Sequence, residues 1–97
     1  MEKRALAETE IREALEELPG WIVEEGKLVK AYKFNSFAEA LGWMVSAGTY
    51  ADKIDHHPEW SNVYNRVQVR LITHDLGNVI STLDIALAKQ MDEFAAR

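Results

Sequence analysis

The chain contains no cysteine, so disulfides and thiolate metal sites are excluded and nothing points to an oxidising compartment. The reducing cytoplasm is the default expectation. A continuous apolar run is also missing: Met1 to Leu18 alternates charged and apolar residues, unlike the core of a signal peptide or a bilayer span. No basic cluster offsets the formal net charge of −5, and such a surface repels both a phosphate backbone and an anionic membrane. Neither nucleic acid nor membrane is expected as a partner. Internal repeats and low-complexity segments are absent as well.

What remains is 97 residues, 47% hydrophobic and 28% charged, which is too apolar for a disordered chain and short enough for one core. A single domain spanning 1–97 is expected. Ile11, Ala14, Leu15 and Leu18 recur at the three-four spacing of an amphipathic helix that Pro19-Gly20 stops. Trp21 to Glu24 and Leu28 to Phe34 suit a hairpin turning near Gly26. Ser36 and Glu39 form a capping box, and Phe37, Leu41, Met44, Val45 and Gly48 mark the predicted buried stripe of a second helix running to about Ile54.

Val67, Val69, Leu71 and Thr73 alternate with Gln68, Arg70 and Ile72, the two-residue period of a strand. Val63 and Tyr64 belong to a preceding strand, with Asn65-Arg66 as the tight connection. Ser81 and Asp84 repeat the capping logic, Ile80 and Ile85 are placed for a hydrophobic staple, and Leu83, Leu87, Met91 and Phe94 give a third helix its stripe. The order α-β-β-α-β-β-α predicts an α+β fold: a four-stranded antiparallel sheet with three helices packed on one face.

All three histidines, His56, His57 and His74, stand at the ends of predicted elements. Pro58 restricts His57 to extended conformations and stiffens that loop. His74 follows the clearest strand in Thr73-His74-Asp75, where Asp75 can orient it. Asp52, four residues before His56, shares its helical face if the helix reaches that far, and can fix its tautomer. Histidine moves protons at neutral pH because both forms are populated near its reference pKa of about 6.5. General acid-base chemistry is therefore the first expectation. Solvated loop histidines are the bland alternative, and a three-histidine zinc site is the sharper rival, although no ligand pair has the i, i+4 helical spacing. Trp21, Trp43 and Trp60 suit core or interface packing, except that Trp60, beside the histidine pair, can line a pocket for a flat heterocycle.

Asp52-Lys53-Ile54-Asp55-His56-His57-Pro58-Glu59-Trp60, then Asn62-Val63-Tyr64-Asn65 and Thr73-His74-Asp75, resemble the signature of the pterin-4a-carbinolamine dehydratases. Leu18-Pro19-Gly20-Trp21, Phe34-Asn35-Ser36-Phe37 and the segment Asp84 to Ala88 extend the resemblance over nearly the whole chain. It implies dehydration of 4a-hydroxytetrahydropterin to quinonoid dihydropterin, the recycling step after aromatic amino-acid hydroxylation, with the pterin as substrate and neither metal nor organic cofactor. His56 and His74 would be the acid-base pair, and His57 would bind and orient the ring. Pterin contacts would fall on His56 to Pro58 and on Thr73, His74, Asp75 and Leu76.

Two positions depart from the family's pattern. Asp52 stands where many members carry glutamate, leaving a shorter arm to reach the imidazole, and the loop Gly77-Asn78-Val79-Ile80 is a residue longer than usual. The resemblance also implies a homodimer through sheet edges or a homotetramer through helices, and functional coupling to an aromatic amino-acid hydroxylase. Relatives of the fold serve instead as a dimerisation cofactor or assembly helper. Such an adaptor has no physical need for three histidines and Asp52, whereas a dehydratase needs proton donors and acceptors within hydrogen-bond reach.

Overall fold

Two hairpins, each closed by a residue in the left-handed region, build the sheet in the computed structural model, which describes residues 1–97. β1 (Ile22–Glu24) and β2 (Lys27–Lys33) meet across Glu25-Gly26, whose φ values of 52° and 76° are those a two-residue type I′ turn requires. β3 (Glu59–Val63) and β4 (Arg66–Leu71) meet across Tyr64-Asn65, with Tyr64 at φ 52°. The connection expected at Asn65-Arg66 thus lies one residue earlier. Side-chain amides hold it there: Asn62 Nδ2 donates to the carbonyls of Tyr64 (3.0 Å) and Arg66 (2.9 Å), and Asn65 Nδ2 donates to Phe34 O at 2.9 Å.

The sheet is antiparallel throughout, in the order β1-β2-β4-β3. Its register places Leu28 opposite Leu71 and Trp60 opposite Val69, so these residues share the inner face. Gln68, Arg70, Glu59 and Ser61 lie on the other face, which carries no helix. Three helices, α1 (Glu8–Leu15), α2 (Phe37–Lys53) and α3 (Thr82–Ala95), cover the inner face and complete the expected α+β order. No helix is long and apolar enough to cross a membrane.

Helix α1 is shorter than its periodicity suggests. Glu16, Glu17 and Leu18 donate to the carbonyls three residues back, so the last turn tightens before Pro19, and Leu18 enters the core from that turn. In α2 the expected stripe holds only at Met44 and Gly48, which face the core: Ala40, Trp43, Ala47 and Ala51 are buried, whereas Phe37, Leu41 and Val45 are exposed, Val45 at 63%. The physical cause is size. Alanines let α2 lie close to the core, where Trp43 Nε1–H donates to Met91 O at 3.0 Å, and small side chains register weakly in a hydrophobic period. Only half of its capping box forms, Ser36 Oγ accepting from Glu39 N–H at 3.1 Å.

Asp92 of α3 fastens this helix to the sheet. One of its oxygens accepts from Trp21 Nε1 at 3.1 Å, Lys30 Nζ at 2.8 Å and the Tyr32 hydroxyl. Burial, reinforced by the neighbouring Asp92 carboxylate, pushes the Tyr32 hydroxyl far above its ordinary pKa and keeps it a donor. Asp92→Ala leaves three donors without their acceptor and should cost about 2–4 kcal/mol, read as a lowered urea midpoint at unchanged slope.

Candidate active site

The histidine pair is set by how α2 ends. Asp55 takes φ 51°, its N–H donates to Asp52 O at 3.1 Å, and the His56 N–H donates to Ala51 O at 3.0 Å, a Schellman closure without glycine. That turn breaks the helical i, i+4 relation between Asp52 and His56. Consequently Asp52 does not hold His56: its carboxylate approaches exposed His57 Nε2 at 3.3 Å. His56 is buried, 9% exposed, and faces the start of α3 instead.

Its partner there is Asp84. Asp84 is fully buried, and its Oδ1 lies 2.5 Å from His56 Nε2, while Oδ2 accepts from Thr73 Oγ1 and from the Ser81 N–H, both at 2.8 Å. Thr73 has spent its hydroxyl hydrogen on Asp84, so the 2.7 Å contact with Ser81 Oγ is a bond donated by Ser81, whose oxygen in turn accepts from Leu83 N–H. The capping box expected at Ser81 and Asp84 is present, and Asp84 serves it and His56 together. A carboxylate at Nε2 accepts a hydrogen from that nitrogen, and Nδ1 has no hydrogen-bond partner within the chain.

His74 opens a single 3-10 turn, His74–Leu76, at the end of the strand layer, and its side chain is 66% exposed. Buried Thr73 anchors the turn by a β-bridge to Val79, and Gly77 and Asn78, at φ 93° and 60°, reverse the chain between them. His74 Nδ1 lies 2.7 Å from Asn78 Oδ1 and Nε2 lies 3.1 Å from Glu59 Oε2. The other Glu59 oxygen accepts from Lys27 Nζ at 2.6 Å, and this bond, with the charges of Lys27 and His74, holds the Glu59 carboxyl below its usual range. Asp75 does not orient His74 as expected. It pairs with Lys3, whose hydrogen bond lowers its pKa, because the 3-10 turn swings residue 75 toward the N-terminal segment.

The buried run His56–Asp84–Thr73 thus ties the loop after α2 to the segment that presents His74. Pro58 follows in the first loop, and half-exposed Leu76 closes the second. Half-buried Trp60 packs its ring on the inner face, beside Gly48 and 6.0 Å from the Trp43 ring, and also lines a small concavity with Glu59 and Arg70. The three imidazoles are separately engaged, and no three His, Cys, Asp or Glu side chains are grouped to hold a metal ion. The largest concavity, about 650 Å³, lies instead between α1 and α3.

Sequence reasoning assigned Asp84 only a capping role and gave Glu59, Asn78 and Lys27 none. A signal for Asp84 existed: it sits three, four and seven residues before Leu87, Ala88 and Met91, an acid on an apolar stripe. Asp84→Ala should cost about 3 kcal/mol or more, since three buried donors lose their acceptor, while Asp52→Ala should stay within about 0.5 kcal/mol. Urea unfolding of the two variants checks the contrast.

Comparison with known proteins gives this arrangement its relatives. The family described as Pterin 4 alpha carbinolamine dehydratase matches residues 4–94. A Prochlorococcus marinus protein named "Putative pterin-4-alpha-carbinolamine dehydratase" is 47% identical over 92 residues, covering 95% of each chain. A Brucella ovis protein of the same name is 44% identical over 97 residues, 98% of this chain and 99% of its own. The crystal structure of a Brucella melitensis "transcriptional coactivator/pterin dehydratase" superposes with a TM-score of 0.90 at 45% identity, over 95% of this chain and 99% of that one. Fold, order of elements and sequence agree along the whole chain, which is therefore a member of the pterin-4a-carbinolamine dehydratase family.

Proposed function

We propose that this chain is a hydro-lyase that converts 4a-hydroxytetrahydropterin to quinonoid dihydropterin and water, using histidine side chains without a metal or organic cofactor. The observation that carries the reading is His56, oriented by buried Asp84 at 2.5 Å with its Nδ1 left unpaired. An imidazole so held is a proton acceptor that needs no reorganisation at the moment of reaction. His74 is the second proton-moving group. Exposed His57, whose ring is only loosely held by Asp52, orients the pterin from the rim, with the backbone of Pro58 and of Thr73 to Leu76 lining the same site. The reaction belongs to tetrahydropterin recycling in the cytoplasm, beside an aromatic amino-acid hydroxylase.

A second reading, assembly with protein partners, is favoured by one observation, the exposed stripe Phe37, Leu41 and Val45 on α2. Their i, i+4, i+8 spacing suits a helix-to-helix contact. A homotetramer joined through this stripe covers it, and β3, one of the two edge strands, offers backbone groups for pairing with a second copy. The same stripe would serve a coactivator role such as that named for the Brucella melitensis protein.

The dehydratase reading is checked by generating the 4a-hydroxy substrate in situ and following quinonoid dihydropterin by absorbance above the spontaneous background. His56→Ala and His74→Ala should each lower kcat/KM by about 100-fold or more, and His57→Ala should mainly raise KM. A wild type indistinguishable from background contradicts the reading. For assembly, Leu41→Glu with Val45→Glu should reduce the particle mass measured by sedimentation and leave the circular dichroism spectrum unchanged.

A further inference from the structure

Residues Glu2 to Leu6 form a strap along the segment that leads from the His74 turn into α3. Leu6 N–H donates to Ile80 O and Thr82 N–H donates to Arg4 O, each at 3.0 Å, and Ala5 pairs with Ser81 as an antiparallel bridge. The Thr82 hydroxyl completes the ladder, accepting from Arg4 N–H at 3.2 Å and donating to Glu2 O at 2.5 Å. Ser81 gives its own N–H to Asp84, so the strap and the buried carboxylate hold opposite edges of one segment. Neighbouring side chains of an extended segment point to opposite sides. Arg4 accordingly reaches Glu10 of α1 through two guanidinium nitrogens, at 3.1 and 3.0 Å, while Lys3 reaches the other way and pairs with Asp75, the residue after His74. The turn itself is lightly held. Thr73 and Val79 close its base and the N–H groups of Gly77 and Asn78 return to His74 O at 3.0 and 3.4 Å, but the side chains of His74 and Asp75 stand exposed.

Resting on the dehydratase reading, we propose that Lys3 is a positioning residue: aimed by the strap, it fixes the turn through Asp75 and so sets where His74 meets the substrate. Lys3 makes no hydrogen bond to an imidazole and acts through the backbone that Asp75 shares with His74. Magnitudes separate this role from a purely structural one. An exposed ion pair adds little to global stability, because water screens it and two flexible side chains must be ordered. Misplacing a reacting group by about 1 Å, in contrast, lowers a rate by up to about 100-fold. The Lys3–Asp75 pair is therefore a weak support of the fold and a strong determinant of the turn's position.

Three variants of the whole chain test the role, Lys3→Ala, Lys3→Glu and Lys3→Arg. In the dehydration assay Lys3→Ala should lower kcat by about 3–10-fold with KM within about 2-fold of wild type, and Lys3→Glu, which repels Asp75, should lower kcat further. Lys3→Arg should keep most of the wild-type rate, and all three should match the wild-type urea midpoint. The turn is read independently of catalysis by NMR measurement of amide exchange with water. The Gly77 and Asn78 amides should exchange about 3–10-fold faster in Lys3→Ala and Lys3→Glu, and that of Thr73, bonded to Val79 O at 2.8 Å, should not change. Exchange at Gly77 and Asn78 that is unmoved in both variants overturns the tether. Faster exchange with unchanged kcat, or a kcat loss that Lys3→Arg shares, overturns the positioning role, as does a kcat loss matched by a lowered urea midpoint. A wild type without dehydratase activity overturns the positioning role together with the reading it rests on, and faster exchange in Lys3→Glu then shows that the tether itself stands.

Discussion

The Asp84 carboxylate is the constraint on which the rest of the site depends. It is wholly buried, and such a charge is tolerated only when hydrogen bonds replace its lost water. The replacements come from three directions: the backbone at the start of α3, Thr73 at the end of the strand layer, and His56 after α2. One side chain therefore sets the entry of a helix, the position of the segment bearing His74, and the orientation of His56. Stability and chemistry are coupled there, because the bonds that make the carboxylate tolerable are those that aim the imidazole.

The two imidazoles proposed to move protons occupy opposite environments. His56 is enclosed, faces a carboxylate on one nitrogen and keeps the other free. His74 stands exposed on a short turn, between two acceptors supplied by different parts of the chain. The contacts of His74 draw on distant parts of the chain, since β3 supplies Glu59, β2 supplies the Lys27 that pairs with it and the loop before α3 supplies Asn78.

Much of this was legible in the sequence. The order of elements, the alternation of Val67, Val69 and Leu71, and the cap at Ser81 are local signals, and the structure carries all three. The partners of the histidines were not legible. Asp52 and Asp75 are near the histidines in sequence, but a Schellman turn and a 3-10 turn redirect the chain within a few residues. The true partners lie 28 residues away for His56 and 15 for the Glu59 contact of His74, a separation no spacing rule reads. Helix α2 failed for a different reason: its alanine face carries little hydrophobic weight, so the large exposed residues Phe37, Leu41 and Val45 dominated the pattern. That misleading stripe is itself informative, since large apolar residues at the surface at helical spacing are what the proposed assembly contact needs.

The most direct measurement is a crystal structure of the protein with a reduced, non-reacting pterin bound. The account predicts the bicyclic ring between the His57-Pro58 loop and the His74–Leu76 turn, with C4a facing His74 Nε2 and the adjacent ring nitrogen within hydrogen-bond reach of His56 Nδ1. A pterin seated elsewhere, for example in the concavity between α1 and α3, would contradict it.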